Sequence, residues 1–214
     1  MKFIHDWIWI VIVAFCVLGI FFPIIGIFAL ICMLAPVVFA IFKGRFWCGN
    51  FCPRGSLNDV LLKKISLTKN TLFVLKNVLV RNTFMILLLA VFAIQLFFAF
   101  GNWSYVGTVF VRMILITTGL SIILGIFFMP RTWCQICPMG TMANYVSRLS
   151  FSKKHTKHVK IESDLCVSCK ACNKACPMEL DVFSCKEQDS LKNPDCIKCR
   201  LCVKACKKGA AVLN

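Results

Sequence analysis

Eight of the fifteen cysteines fall in two runs of one form. "CVSCKACNKACP" begins at Cys166 and "CIKCRLCVKAC" at Cys196, and each reads C-x2-C-x2-C-x3-C. Thiolates are soft ligands. At this spacing three of them can wrap one face of an iron–sulfur cubane while the fourth reaches away from it. A zinc site closes with four ligands and gains nothing from eight in such a repeat. Four further cysteines form a second constellation. "RFWCGNFCPRGSL", from Arg45, and "RTWCQICPMGTM", from Arg131, share Arg, Trp, two Cys, Pro, Gly, a hydroxyl residue and an apolar residue in order, once one gap is allowed. Each follows directly on an apolar run.

When two such C-x2-C-x2-C-x3-C runs fold together, the fourth cysteine of each ligates the other run's cluster. The tail is therefore expected to hold two [4Fe–4S] clusters. Cys166, Cys169, Cys172 and Cys206 hold one, and Cys176, Cys196, Cys199 and Cys202 hold the other. The crossing ties the halves of a small α+β domain together and makes its folding depend on metal. Lys207 stands where a proline commonly follows the last cysteine, which changes the backbone but removes no ligand. Lys170, Lys174, Lys198, Arg200, Lys204 and Lys208 form either a docking face for an acidic soluble electron carrier or an ordinary solvated face. Cys185, between the runs, has no assignment.

What must position these cysteines is a membrane module. The 214 residues are 59% hydrophobic, with a mean hydropathy of +0.78, which excludes a water-soluble domain of this size. The apolar residues concentrate in 7–42 and 83–129. The second block divides into spans at 83–100 and 107–129, with "GNWSYVG" as the turn and Trp103 and Tyr105 at an interface. The first is read as a short hairpin turning near Gly19, Pro23 and Gly26. The N-terminus lacks an A-x-A-like cleavage site and is expected to be an uncleaved signal anchor. Between the blocks, Lys43, Arg45, Arg54, Lys63, Lys64, Lys69, Lys76 and Arg81 face a single acid, Asp59. By the positive-inside rule this loop is cytoplasmic, and the even number of spans puts both cysteine constellations and both termini on that side. Arg112 is expected to snorkel to the outer interface or to face a partner. The net charge of +16 reads as cytoplasmic loops on a multi-pass protein of the cell membrane, and no nucleic-acid partner is expected.

The expected fold is thus an α-helical integral membrane domain, 1–150, plus an α+β domain, 151–214, carrying the two clusters. In the membrane domain four transmembrane helices form two hairpin-plus-cysteine repeats, at about 7–65 and 83–149. The spacings Cys48-x3-Cys52 and Cys134-x2-Cys137 differ, so symmetry is imperfect. Three readings of Cys48, Cys52, Cys134 and Cys137 stay open. They pack as small hydrophobes, they act as two dithiol switches, or they hold a third [4Fe–4S] cluster at the membrane edge, two ligands from each half. Arg45 and Arg131 either offset such a cluster's charge or anchor the chain at the interface. Cys16 and Cys32, within the apolar blocks, read as packing.

With "WCGNFCPRG", "WCQICPMG" and the tail motifs in hand, the chain resembles the membrane-bound polyferredoxins of the NapH/NosR/CcoG type. In these, membrane helices carry two Cys-Pro motifs ahead of a bacterial two-cluster ferredoxin domain. The resemblance implies electron transfer between a cytoplasmic carrier and a membrane quinone or redox partner subunit. The alternatives to this reading are a metalloenzyme-maturation or metal-reducing factor and a redox-sensing membrane anchor for a soluble reductase. With no flavin-binding domain and no CxxCH motif, the chain is expected to be a component of an oxidoreductase and not an enzyme by itself.

Overall fold

The computed structural model describes residues 2–67, 71, 73–149, 158–188 and 190–213. Among these described residues, four helical stretches are long and apolar enough to cross a membrane: Ile4–Phe21, Pro23–Lys43, Val78–Ala99 and Trp103–Phe127. At 1.5 Å per residue the shortest reaches about 27 Å, close to the hydrocarbon thickness. The first comprises α1 (Lys2–Trp7) and α2 (Trp9–Phe21), and the chain then breaks at Phe22, which is extended at φ −126° and ψ 82°. The cause is Pro23, whose ring disfavours helical backbone in the residue before it. The chain resumes as a 3-10 turn, Pro23–Phe28, and continues as α3 (Ala29–Lys43).

Gly26 lies within this turn and also makes a close backbone contact. A Cβ on Gly26 would lie 2.1 Å from the carbonyl oxygen of Gly107, and one on Gly107 would lie 2.1 Å from that of Pro23. The two backbones touch there, which is how helices gain contact in lipid, where burial of apolar surface supplies no drive. The later spans, α8 (Val78–Ala99) and α9 (Trp103–Phe127), each begin about five residues earlier than their hydropathy indicates. In both an asparagine sets the start: the side chains of Asn77 and Asn102 accept hydrogen bonds from the backbone N–H of Leu79 and Ser104. Trp103 and Tyr105 therefore sit in the first turn of α9 and not in a loop, while Arg112 is exposed on the same helix.

Short helices bring the cysteines together at one end of the spans. After α3 come α4 (Phe46–Asn50), α5 (Pro53–Leu57), a π turn at Asn58–Leu62, α6 (Lys63–Ile65) and α7 (Phe73–Lys76). After α9 come α10 (Thr132–Ile136) and α11 (Pro138–Arg148), with α11 packed along α3 and α5 along α2. In the tail, β1 (Val159–Ile161) pairs antiparallel with β2 (Ala211–Leu213), Val159 facing Leu213. Between them lie α12 (Ala171–Lys174), a 3-10 turn at Phe183–Lys186 and α13 (Leu201–Ala205). Val159, Val182, Cys185, Leu191 and Cys202 form the tail's buried core, so Cys185 is a packing residue there.

Candidate metal centre

The tail cysteines line two cavities. Cys166, Cys169, Cys172 and Cys206 surround a space of about 380 Å³ closed by Ile161, Leu165 and Phe183. Cys176, Cys196, Cys199 and Cys202 line a second, narrower one with Val182, Leu191 and Ile197. In each set, three cysteines come from one run and one from the other. The local backbone is unusual in the same way in both runs. Ser168 and Lys170 flank Cys169 at φ 57° and 55°, and Lys198 and Arg200 flank Cys199 at φ 55° and 61°. A left-handed backbone at a residue with a Cβ costs about 1–2 kcal/mol, so four such residues persist only where the surroundings hold them. Here the turns aim successive side chains into one volume.

Among the described residues no three ligand side chains converge as closely as a single metal ion requires. A cubane makes a different demand. Each thiolate binds its own iron, so the sulfurs stand around a volume and do not meet at a point. The cavities, four cysteines each, fit that demand. Burial pushes the thiols of Cys199 and Cys202 up to about 11 and about 12. As bare thiolates they are unstable there, and a metal centre is what holds such sulfurs deprotonated.

The two Cys-Pro motifs meet in one buried site. Cys52 and Cys137 are extended residues at the helix start, each followed by a proline in the first helical position of α5 or α11. The one-residue difference in spacing is absorbed locally. The carbonyl of Trp47 accepts from both Phe51 N and Cys52 N, whereas that of Trp133 accepts from Cys137 N. Cys48 lies within electrostatic reach of Cys134 and Cys137, and Cys52 within reach of Cys48 and Cys134. Burial, reinforced by these neighbours, pushes the Cys52 thiol up to about 12.

Two arginines cross between the motifs. Arg45 Nη2 donates to the carbonyl of Cys134 at 2.6 Å, and Arg131 Nη1 donates to the carbonyl of Cys48 at 2.8 Å. Arg131 Nη1 also lies 3.6 Å from Cys134 Sγ. Each guanidinium occupies the space above a glycine of the opposite motif: a Cβ on Gly140 would lie 2.5 Å from Arg45, and one on Gly55 would lie 2.6 Å from Arg131. At 1% and 0% exposure the two arginines cannot reach headgroups, so the interface-anchor reading fails. Burial disfavours their charge, but nearby thiols and carboxylates raise both above the ordinary range.

Asp59 stands out in the sequence only as the lone acid of its loop, and Asp195 carries no signal as a partner for arginine. Arg131 forks onto Asp59, Nε to Oδ1 at 2.8 Å and Nη2 to Oδ2 at 2.6 Å, with His5 Nε2 3.3 Å from the same carboxylate. Counting on from the aligned motifs, the position matching Asp59 is Asn144. The carboxylate for Arg45 comes instead from the tail: Asp195 Oδ1 accepts from Arg45 Nη1 at 2.7 Å and from Asn144 Nδ2 at 2.6 Å. Arg81 forks onto the same group at 2.9 and 3.0 Å. The tail thus sits on the face that carries the motifs. Met178 and Ile197 are buried with Cys48 and Cys134, and Cys176 and Cys199 pack against them. Lys198, expected on an outer docking face, is instead 6% exposed and points inward, its Nζ donating to the carbonyl of Lys43 at 2.9 Å.

Comparison with known proteins agrees with this chemistry. A 4Fe-4S binding domain family matches twice, at residues 25–71 and 111–157, and a 4Fe-4S dicluster domain family matches residues 165–211. Two uncharacterized proteins of Methanocaldococcus jannaschii, MJ0749 and MJ0750, are each 26% identical over 163 residues, covering 72% and 70% of this chain. The chain spans 59% and 66% of those relatives' own lengths. No solved structure matches. The chain therefore carries iron–sulfur binding domains of the 4Fe–4S kind alongside four apolar helices that can span a membrane.

Proposed function

We propose that this chain is a membrane-bound electron-transfer protein of the NapH/NosR/CcoG polyferredoxin type, built from two hairpin-plus-cysteine repeats and a two-cluster tail. The reading assigns three [4Fe–4S] clusters: a distal one on Cys166, Cys169, Cys172 and Cys206, a proximal one on Cys176, Cys196, Cys199 and Cys202, and one at the membrane edge on Cys48, Cys52, Cys134 and Cys137. When bound, each supplies one-electron redox chemistry. The observation that carries the proposal is one shared cluster: Cys48 and Cys134 are buried with Met178 and Ile197 of the tail, and Cys176 and Cys199 pack against that cluster. It supports a short path between the tail's inner site and the membrane-edge site, across Met178 and Ile197.

The chain's own residues supply placement and charge. Arg45 and Arg131 bring two buried positive charges to the edge site, and Asp59 and Asp195 keep them oriented. The edge thiols suit ligation better than disulfide exchange. An attacking thiol works best with a pKa near ambient pH, and Cys52 at about 12 is far from it. The reciprocal arginines and the double match of one family support the repeat. The basic loop between the second and third spans supports a cytoplasmic tail, with both termini on that side. Electrons would then pass between an acidic soluble carrier near Lys170, Lys207 and Lys208, which border the distal site, and a membrane quinone or redox partner subunit. Anaerobic purification with iron and sulfide counting tests the assignment. About twelve irons, falling to about eight in Cys48→Ala/Cys134→Ala with the tail signals intact, is the expected result. A wild-type count of about eight, with the four edge thiols titrating as reversible disulfides, would establish the dithiol reading instead.

A further inference from the structure

A cavity of about 470 Å³ lies where the membrane module meets the tail, and electron transfer as read above has no use for it. Its wall comes from three separate places. Gly44 and Arg45 follow α3, Ser147 and Arg148 end α11, and His158, Lys192, Pro194 and Lys198 belong to the tail. Among the described residues no carboxylate lines it. The charge on Arg45 is met by Asp195, and the Nε of Arg148 donates to Asn144 Oδ1 at 3.0 Å with its guanidinium over the Tyr145 ring, so its two outer nitrogens give no described hydrogen bond. Lys198 is almost wholly buried, and its ammonium has three donors but gives one described hydrogen bond, to Lys43. His158 lies within electrostatic reach of both Lys192 and Lys198. Among the described residues Arg148 and Lys192 have no anionic partner around the same space, an arrangement whose mutual repulsion a bound anion would relieve.

We propose that this cavity binds an organic phosphate, the phosphate held by Arg148, Lys192 and Lys198. Its volume exceeds what one inorganic anion fills and falls in the usual range of small-molecule sites. Gly44 directly follows Lys43, the last residue of the second candidate span, so the cavity opens at the level of lipid headgroups. Basic hollows at that depth take anionic headgroups. A lipid headgroup and a soluble phosphate ester are two sources of the same group.

Calorimetric titration of the anaerobically prepared holoprotein in neutral detergent separates them, using dihexanoyl phosphatidylglycerol, glycerol 3-phosphate and dihexanoyl phosphatidylcholine as probes. Binding is read independently of electron transfer, so failure of this proposal leaves the functional reading standing, and the reverse holds too. At least one of the two anionic probes is expected to bind saturably and more tightly than phosphatidylcholine. Arg148→Gln/Lys192→Gln, at two exposed positions outside the cysteine loops, should weaken that binding about thirtyfold. Lys63→Gln/Lys64→Gln, on α6, should not. Tighter binding of phosphatidylglycerol than of glycerol 3-phosphate identifies a lipid, and equal or reversed affinities identify a soluble ester. Absence of saturable binding, or equal weakening by the two double variants, would overturn the proposal.

Discussion

Replacing Asp195 by Asn removes the carboxylate that Arg45 and Arg81 share and that seats the tail on the membrane module. Burial pushes this carboxyl up, but hydrogen bonds from Arg81 and the charges of Arg45 and Arg81 outweigh it and hold the group at about 2, against an ordinary 3.8. At 1.36 kcal/mol per unit, those partners stabilise the ionised, docked form by about 2 kcal/mol. Two guanidiniums, 0% and 10% exposed, also lose their counter-charge, which moves the cost toward the 3–5 kcal/mol typical of a broken buried pair. We therefore predict that Asp195→Asn raises the tail's opening equilibrium by about 30- to 1,000-fold, corresponding to about 2–4 kcal/mol. Hydrogen–deuterium exchange on the anaerobic holoprotein reads this at the amides of residues 45–51 and 193–198, with iron content unchanged. The stabilisation is full above pH 3.8 and is lost as pH falls through about 2, because the folded state binds the proton less readily. Asn144 donates to Asp195 from 2.6 Å, so moving the carboxylate across that hydrogen bond, in Asp195→Asn/Asn144→Asp, should recover much of the protection. Wild-type exchange in the single variant, or no recovery in the double, would refute the reasoning.

Cys206→Ser should perturb the EPR signal of the distal cluster, with Cys166, Cys169 and Cys172, and spare the proximal one. A structure in which each run encloses its own cluster would reverse the ligand assignment. In sealed right-side-out vesicles of apo-protein, Cys48, Cys134 and Cys166 should resist a membrane-impermeant thiol reagent until the vesicles are opened, and labelling of Cys48 from outside would reverse the topology. Gly140→Ala places a methyl 2.5 Å from Arg45. It should cost the edge site its iron, about four of twelve, while leaving the tail signals in place, and full iron retention would show that Arg45 can move without loss.

The features legible in the sequence were those set by short-range pattern. Unbroken apolar runs mark four spans, and Pro23 marks the break in the first block because its effect on Phe22 is local. The helix starts at Asn77 and Asn102 were misplaced, since one capping oxygen carries no hydropathy signal and Arg81 lies inside α8. Gly26 shows its place in a turn locally, but its backbone contact with Gly107 joins residues 81 positions apart and leaves no local signal. Lys198 was assigned outward for the same reason: its charge indicates water, while its partner, the carbonyl of Lys43, is fixed by docking. Asp59 and Asp195 went unnoticed as site residues. The only available signal for Asp59 was its isolation in a basic loop, and for Asp195 its place next to a cysteine run.

The pairing of Arg45 with Asp195 also has a consequence for the order in which the molecule is made. The two residues are 150 positions apart, so Arg45 emerges from the ribosome, and its neighbouring spans enter the bilayer, long before its carboxylate exists. Through that interval the guanidinium lacks its described carboxylate partner, and the first motif stays open to water. Closure of the membrane-edge site is thereby deferred to the end of synthesis and made conditional on a folded tail. A chain truncated after residue 150 should accordingly be cleaved by trypsin at Arg45, and resistance at that bond would show that the first half closes unaided.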